Sequence, residues 1–277
     1  MTRGPVRARV PIESWDAAGA RLRVRTGGRG ARTLLLATDP PNVLEAYAEL
    51  FVALCRHARL VAFEPPGFGR SRAPPGFGHS WREQVDVLEA LAQRVGPCVL
   101  AFPCVAAYAA LLLAARRPDL VEGLVLSQAP GWPDAKAWMA RVDKGRFVRT
   151  PLVGQAMMAL RAESVAQRWY EAASGDPDRM RPLARMSVEA LTHDAKFPLA
   201  DAFQAMDRED PPLEVVDKRA LLVWGDRDRT HRDSNPVGLI SFLPQARQVT
   251  LHGAGHFPEL ERPREYADAV GGWLLGH

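Results

Sequence analysis

Cysteine, lysine and long apolar runs are the scarce commodities of this 277-residue chain, and each scarcity excludes something. The three cysteines, Cys55, Cys98 and Cys104, fit neither a disulfide framework nor a metal-finger spacing, so reduced thiols are expected. No apolar stretch approaches the roughly 18 residues of a membrane span, and the opening residues carry no apolar leader core, so a cytoplasmic, non-membrane protein is expected. Lysine occurs only at positions 136, 144, 196 and 218, so the net charge of +4 is carried by arginine. Those arginines are spread along the chain rather than gathered in a patch, which argues against a nucleic-acid partner. Repeats and low-complexity tracts are absent as well.

What remains is 47% hydrophobic, enough to bury a large core in one α/β unit. Residues 6–12, 21–26 and 33–38 read as three opening strands separated by glycine-rich turns. Residues 43–57 and 81–95 follow helical spacing, with a strand at 60–63 between them. A short apolar strand from Cys98 then breaks at Phe102-Pro103-Cys104-Val105-Ala106 into an amphipathic helix stopped before Pro118, and residues 123–127 form another buried strand. Strands alternating with helices predict an α/β fold: a mostly parallel central sheet of about eight strands flanked by helices. From residue 130 to 216 the pattern changes to helical stretches rich in Trp and Met.

Four motifs in order carry a resemblance to the α/β-hydrolase fold superfamily, from about residue 30 to the C-terminus. The strand-to-helix break resembles the nucleophile elbow, normally Gly-x-Ser-x-Gly, with Cys104 at the serine position and Phe102 at that of a glycine. Glu64-Pro-Pro-Gly-Phe-Gly-Arg-Ser71 resembles the family's D-x-P-G-x-G-x-S loop, with Glu64 replacing the aspartate. Gly225-Asp-Arg-Asp228 resembles the strand end that carries the triad acid, and Gly253-Ala-Gly-His256 the loop that carries the triad histidine. The resemblance implies a hydrolase core from residues 1–129 and 217–277 with a helical cap, residues 130–216, inserted after strand six. It also implies a Cys104–His256–Asp228 triad that works without a cofactor or metal. Asp226 is read as a loop or capping residue, and His252 as lying at a strand end outside the site.

A cysteine at the elbow narrows the chemistry. A free thiol is only about 3% thiolate at pH 7, but a histidine and a helix N-terminus both lower its pKa. His256 would take the thiol proton and Asp228 would orient the imidazole. Relatives with an aspartate nucleophile, the haloalkane dehalogenases and epoxide hydrolases, proceed through an alkyl ester, which a cysteine cannot form. The oxyanion hole is expected from the Val105 N–H and, because Pro40 and Pro41 have no N–H, from Asp39. Thr38, Phe102, Pro103, Trp132, Trp138, Met157, Trp169 and Phe257 are the candidates for an apolar substrate pocket. Three functions stay open: acyl transfer or hydrolysis of an ester, lactone or thioester; a lyase or cyclisation reaction with His256 as base, without a covalent intermediate; and a non-catalytic ligand-binding descendant. The expected partner is a small molecule, free or carrier-bound, on a monomer or homodimer.

Overall fold

A computed structural model describes residues 11–191 and 194–276. Residues 6–10 of the expected first strand lie outside the described residues; the strand seen there, β1 (Ile12–Ala17), begins at the end of the expected segment. It is followed by β2 (Ala20–Gly27), β3 (Thr33–Ala37), β4 (Arg59–Phe63), β5 (Cys98–Pro103), β6 (Val121–Ser127), β7 (Ala220–Gly225) and β8 (Ala246–Leu251). They form one eight-stranded sheet in the order β1-β2-β4-β3-β5-β6-β7-β8. Pairing is antiparallel between β1 and β2 and between β2 and β4, and parallel from β4 through β3 to β8.

The parallel strands are buried on both faces, which is why β3 and β5 read as continuous apolar runs without alternation. Their alternate residues nevertheless separate. Leu35, Leu100, Phe102, Leu124 and Leu222 enter the core on one face, whereas Leu34, Leu36, Val99, Ala101, Leu221 and Val223 enter the other. The first face is covered by α2 (Trp81–Val95) and α3 (Ala106–Arg116), the second by α1 (Ala48–Leu54) and α9 (Pro263–Leu275). A capping box starts α2: Ser80 Oγ accepts from the Glu83 amide at 3.3 Å, and the Glu83 carboxylate accepts from the Ser80 amide at 3.0 Å. The expected helix at 43–57 contracts to α1, because residues 43–47 make a series of tight turns instead.

Four helices stand between β6 and β7: α4 (Trp132–Val142), α5 (Val153–Ala173), α6 (Pro177–Leu191) and α7 (Phe197–Arg208). The short α8 (Pro258–Glu261) follows β8. Glu64 sits at the end of β4 with no solvent exposure, and its carboxylate accepts from Arg23 Nη1 at 2.8 Å and from the Leu44 and Arg70 amides at 3.0 and 2.7 Å. Gly69 adopts a φ of +58°, and a Cβ there would meet that carboxylate at 2.5 Å, so both a left-handed turn and close approach demand glycine. This knot fixes the loop that follows β4. No helix among the described residues is long and apolar enough to cross a membrane.

Candidate active site

The elbow is built by a mismatch between strand and helix. Strand β5 pairs with β3 as far as Ala101 and with β6 as far as Pro103, and the Cys104 amide still bonds the Ser127 carbonyl at 2.8 Å. Cys104 itself takes a φ of +48° before α3 begins, a conformation costing about 1–3 kcal/mol for a non-glycine residue. Phe102 is tolerated where a glycine is usual because its ring faces away from the turn. It packs against Phe63 with centroids 5.9 Å apart, inside the core beneath α2 and α3.

Asp228 and His256 converge on the same point. One Asp228 oxygen, Oδ1, accepts from the Thr230 amide at 2.8 Å, the Thr230 hydroxyl at 2.7 Å and the His231 amide at 3.3 Å. The other accepts from Gln128 Nε2 at 3.1 Å and faces His256 Nδ1 at 2.7 Å. Burial alone would raise the Asp228 pKa, but the imidazole's charge and hydrogen bond outweigh it and hold the carboxyl at about 2. His256 is 1% exposed, and one of its ring nitrogens lies within 4.8 Å of the Cys104 sulfur. Burial opposes its charge, yet the neighbouring Asp228 and Cys104 raise its pKa well above the ordinary value. Burial likewise pushes the Cys104 thiol up, against the pull of His256. The loops meet this closely because Gly225 lies flat on the backbone of Ala254 and Gly255, where any Cβ would collide. By contrast, Asp226 and His252 pair with each other at 2.7 Å on the exposed surface, in the roles the sequence suggested.

Two further side chains flank the imidazole, of which only His231 escaped sequence reasoning. The Asp39 carboxylate is buried, and its Oδ2 lies 3.5 Å from His256 Nε2. His231 stacks on His256 with centroids 5.3 Å apart and planes within 15°, and on Trp138 at 5.2 Å and 7°. Its pKa falls to about 3, chiefly through burial and then through the charge of His256, so it is neutral at any working pH. The signal for His231 was only its place three residues after Asp228. Asp39 was expected as a backbone donor to an oxyanion, but its amide is already spent on the Tyr47 hydroxyl at 2.8 Å. Val105 remains at the N-terminus of α3 beside the thiol, and its backbone counters in small part the burial that raises the Cys104 pKa.

A cavity of about 820 Å3 opens above Cys104 and His256, walled by Trp138, Met157, Trp169, Leu199, Phe203 and Met206 from α4, α5 and α7. Five cationic side chains, Arg141, Lys144, Arg168, Arg229 and Arg232, also border it. Of the expected pocket residues, Trp138, Met157 and Trp169 line it; Thr38, Phe102, Pro103, Trp132 and Phe257 do not. Trp132 is drawn into the core by edge-on packing with Trp81 and Tyr108. Phe257 is fully buried and supports His256 edge-on from behind. Thr38 and Pro103 end strands and are sealed into the sheet.

Behind Asp39, the Tyr47 hydroxyl donates to Glu259 Oε1 at 3.1 Å. Burial raises the Glu259 pKa to about 8, so folding favours its protonated form. That contribution to stability is complete below the ordinary value of 4.5 and is lost as pH rises toward about 8. Glu259→Gln is neutral at every pH and should gain on the wild type in alkali. Thermal melts at pH 6 and pH 9 check this, with each kcal/mol worth roughly 2–4 °C. A difference that does not change with pH would refute it.

A sheet of this topology with a cysteine at a strand–elbow–helix turn and an aspartate and a histidine on later loops defines an α/β-hydrolase-type architecture. The α/β hydrolase family profile matches residues 15–269, and the chain belongs to that family of enzymes. Haloalkane dehalogenase 2 of Mycobacterium tuberculosis (strain ATCC 25618 / H37Rv) is 26% identical, with 94% of each chain covered. Among solved structures, ALR0039 from Nostoc sp. PCC 7120 superposes with a TM-score of 0.84 at 19% identity, covering 98% of this chain and 100% of the other. The enol-lactonase from Burkholderia xenovorans LB400 does so at 0.74 and 20% identity, covering 95% of this chain and 100% of its own. At these identities the structural likenesses show the fold.

Proposed function

We propose that this chain is a hydrolase or acyl-transfer enzyme that acts through an acyl-Cys104 on an ester, lactone or thioester of a mainly apolar small molecule, free or carrier-bound. Residues 130–216 serve as the cap that closes the cavity. The observation that carries this function is the left-handed elbow at Cys104, facing an imidazole whose far nitrogen is fixed by Asp228 at 2.7 Å, inside an apolar cavity. Loose nucleophile–histidine spacing is common before substrate binds.

His256 takes the Cys104 proton while the sulfur attacks the carbonyl carbon, forming the C–S bond. The leaving thiol or alcohol departs as its bond to that carbon breaks, and it receives the proton from His256. Water, or an acceptor hydroxyl, amine or thiol, then attacks the acyl carbon with His256 as base, releasing product and restoring the thiol. The Val105 N–H stabilises the developing oxyanion, supported by the N-terminus of α3. With one backbone donor in place of two, thioesters are favoured over oxygen esters, because their carbonyl is already activated toward thiolate exchange. Dehalogenation as in the mycobacterial relative's name does not fit: a thiolate displacing halide leaves a thioether, which has no carbonyl for water to attack.

One observation favours the lyase as a second function. The Asp39 carboxylate lies beside His256 Nε2 and its amide is committed to Tyr47, so the region where an oxyanion would form holds a negative group. Elimination by His256 alone would tolerate that. Mass spectrometry after rapid quench of a thioester reaction separates the two. A transient acyl mass on the Cys104 peptide is expected, and turnover without any such adduct would overturn acyl transfer.

A further inference from the structure

Cys104, His231, His256 and Asp39 come from four separate segments: the elbow, the loop after Asp228, the loop after β8 and the loop after β3. All four are at least nine-tenths buried. The Cys104 sulfur and one nitrogen from each histidine lie within 4.8 Å of one another. Each imidazole has one nitrogen committed, His256 Nδ1 to Asp228 at 2.7 Å and His231 Nδ1 to Ser234 Oγ at 2.9 Å. His256 Nε2 meets the Asp39 carboxylate at 3.5 Å, whereas His231 Nε2 has no hydrogen-bond partner. An unsatisfied buried nitrogen beside a thiol is costly, and such a group calls for an explanation.

We infer that this cluster is a binding site for a thiophilic divalent cation of the zinc type, held by Cys104 Sγ, His231 Nε2 and His256 Nε2, with the Asp39 carboxylate beside them as a charge-balancing neighbour. One thiolate and two imidazoles, with a fourth position left open, are a donor set that zinc takes in tetrahedral sites, at about 2.3 Å from sulfur and about 2.0–2.1 Å from nitrogen. The hydrogen bonds on the opposite nitrogens, to a carboxylate and a hydroxyl, are the supports that fix ligating histidines in orientation and tautomer.

Binding replaces protons: the cation forms bonds to the Cys104 sulfur and to His256 Nε2, and the thiol proton, together with the imidazolium proton where His256 is charged, leaves to solvent. Because the same sulfur and the same His256 nitrogen are needed for acyl transfer, an occupied site cannot form acyl-Cys104. The cation is then a reversible inhibitor, a consequence that rests on the proposed triad, whereas the binding itself does not.

Cobalt(II) is the direct probe, since it adopts zinc geometry and reports thiolate ligation by absorption. Metal-stripped protein titrated with cobalt should show a thiolate-to-metal charge-transfer band and tetrahedral d–d bands saturating at one equivalent, both bleached by zinc. Cys104→Ser should lose the charge-transfer band. His231→Ala should weaken binding by more than about tenfold, and Ser234→Ala by about 10–100-fold through the lost support. His231→Asn, which keeps a polar side chain there, should weaken it similarly if the alanine variant does not fold. A wild-type protein without the charge-transfer band, or folded His231 variants that bind as tightly as wild type, would overturn the inference. Acylation of Cys104 by a thioester in excess chelator tests the triad separately. Acylation without cobalt binding defeats the metal site alone, and cobalt binding without acylation defeats the triad alone. With both intact, one equivalent of zinc should suppress acylation, and unaltered acylation would overturn the inhibitory role.

Discussion

Cys104→Ala should reduce turnover by on the order of 10⁴- to 10⁶-fold, and His256→Ala should do nearly the same, because nucleophile and base act as one unit. The size of the loss follows from the geometry. Cys104 is the side chain that the elbow projects toward His256, and its left-handed backbone is retained only because β5, β6 and α3 fix it from three sides. Alanine keeps that backbone and deletes the sulfur alone. Steady-state kinetics on a thioester, with circular dichroism as the check on folding, decide the matter. A Cys104→Ala enzyme that keeps a substantial part of its activity while His256→Ala is inert would assign the elimination mechanism instead.

Asp39→Asn should raise the acylation rate by roughly 10²-fold, an unusual direction for a change beside a triad. The substitution preserves the backbone amide bonded to Tyr47 but replaces a buried carboxylate by an amide that can donate to the oxyanion. One such donor is worth about 10²–10³ in rate. It also removes a negative neighbour that favours the imidazolium, so the acid limb of the pH–rate profile should move to lower pH. Single-turnover acylation measured across pH tests both parts. A lower rate in the asparagine variant would make Asp39 a supporting carboxylate and favour proton abstraction.

The fold was legible because its signals are local and redundant: the apolar runs of β3 to β7, the helical spacing of α2, and motif order along the chain. Cys104, His256 and Asp228 were found because elbow, acid loop and histidine loop each carry a sequence spacing. His231 was not. Its position at the imidazole depends on how two loops close in space, and a single His in a loop has no periodicity to betray it. The pocket divided for a related reason. Trp138, Met157 and Trp169 turn inward, but Trp132 lies one helical turn and a half from Trp138 on α4 and belongs to the sheet-side core. A count of aromatic residues cannot tell those faces apart.

The layer of helices over the cavity has one fixed edge and one independent edge. At the fixed edge the amide of His256 bonds the Ala173 carbonyl at 2.8 Å, and the amides of Gly175 and Asp176 converge on Glu261 at 2.8 and 2.7 Å. The end of α5 is therefore part of the loop that carries the imidazole. At the other edge Phe147 is exposed, and Arg149 ties the segment to Asp143 and Asp207 within the helical layer itself. Sequence change is consequently unequal in its reach. Variation around residues 143–152 can reshape the entrance and leave the imidazole in register, whereas variation around residues 170–176 moves the base although it lies some eighty positions away in the chain. Substitutions at the first edge are thus expected to alter the mouth of the cavity alone, whereas those at the second are expected to displace His256 as well.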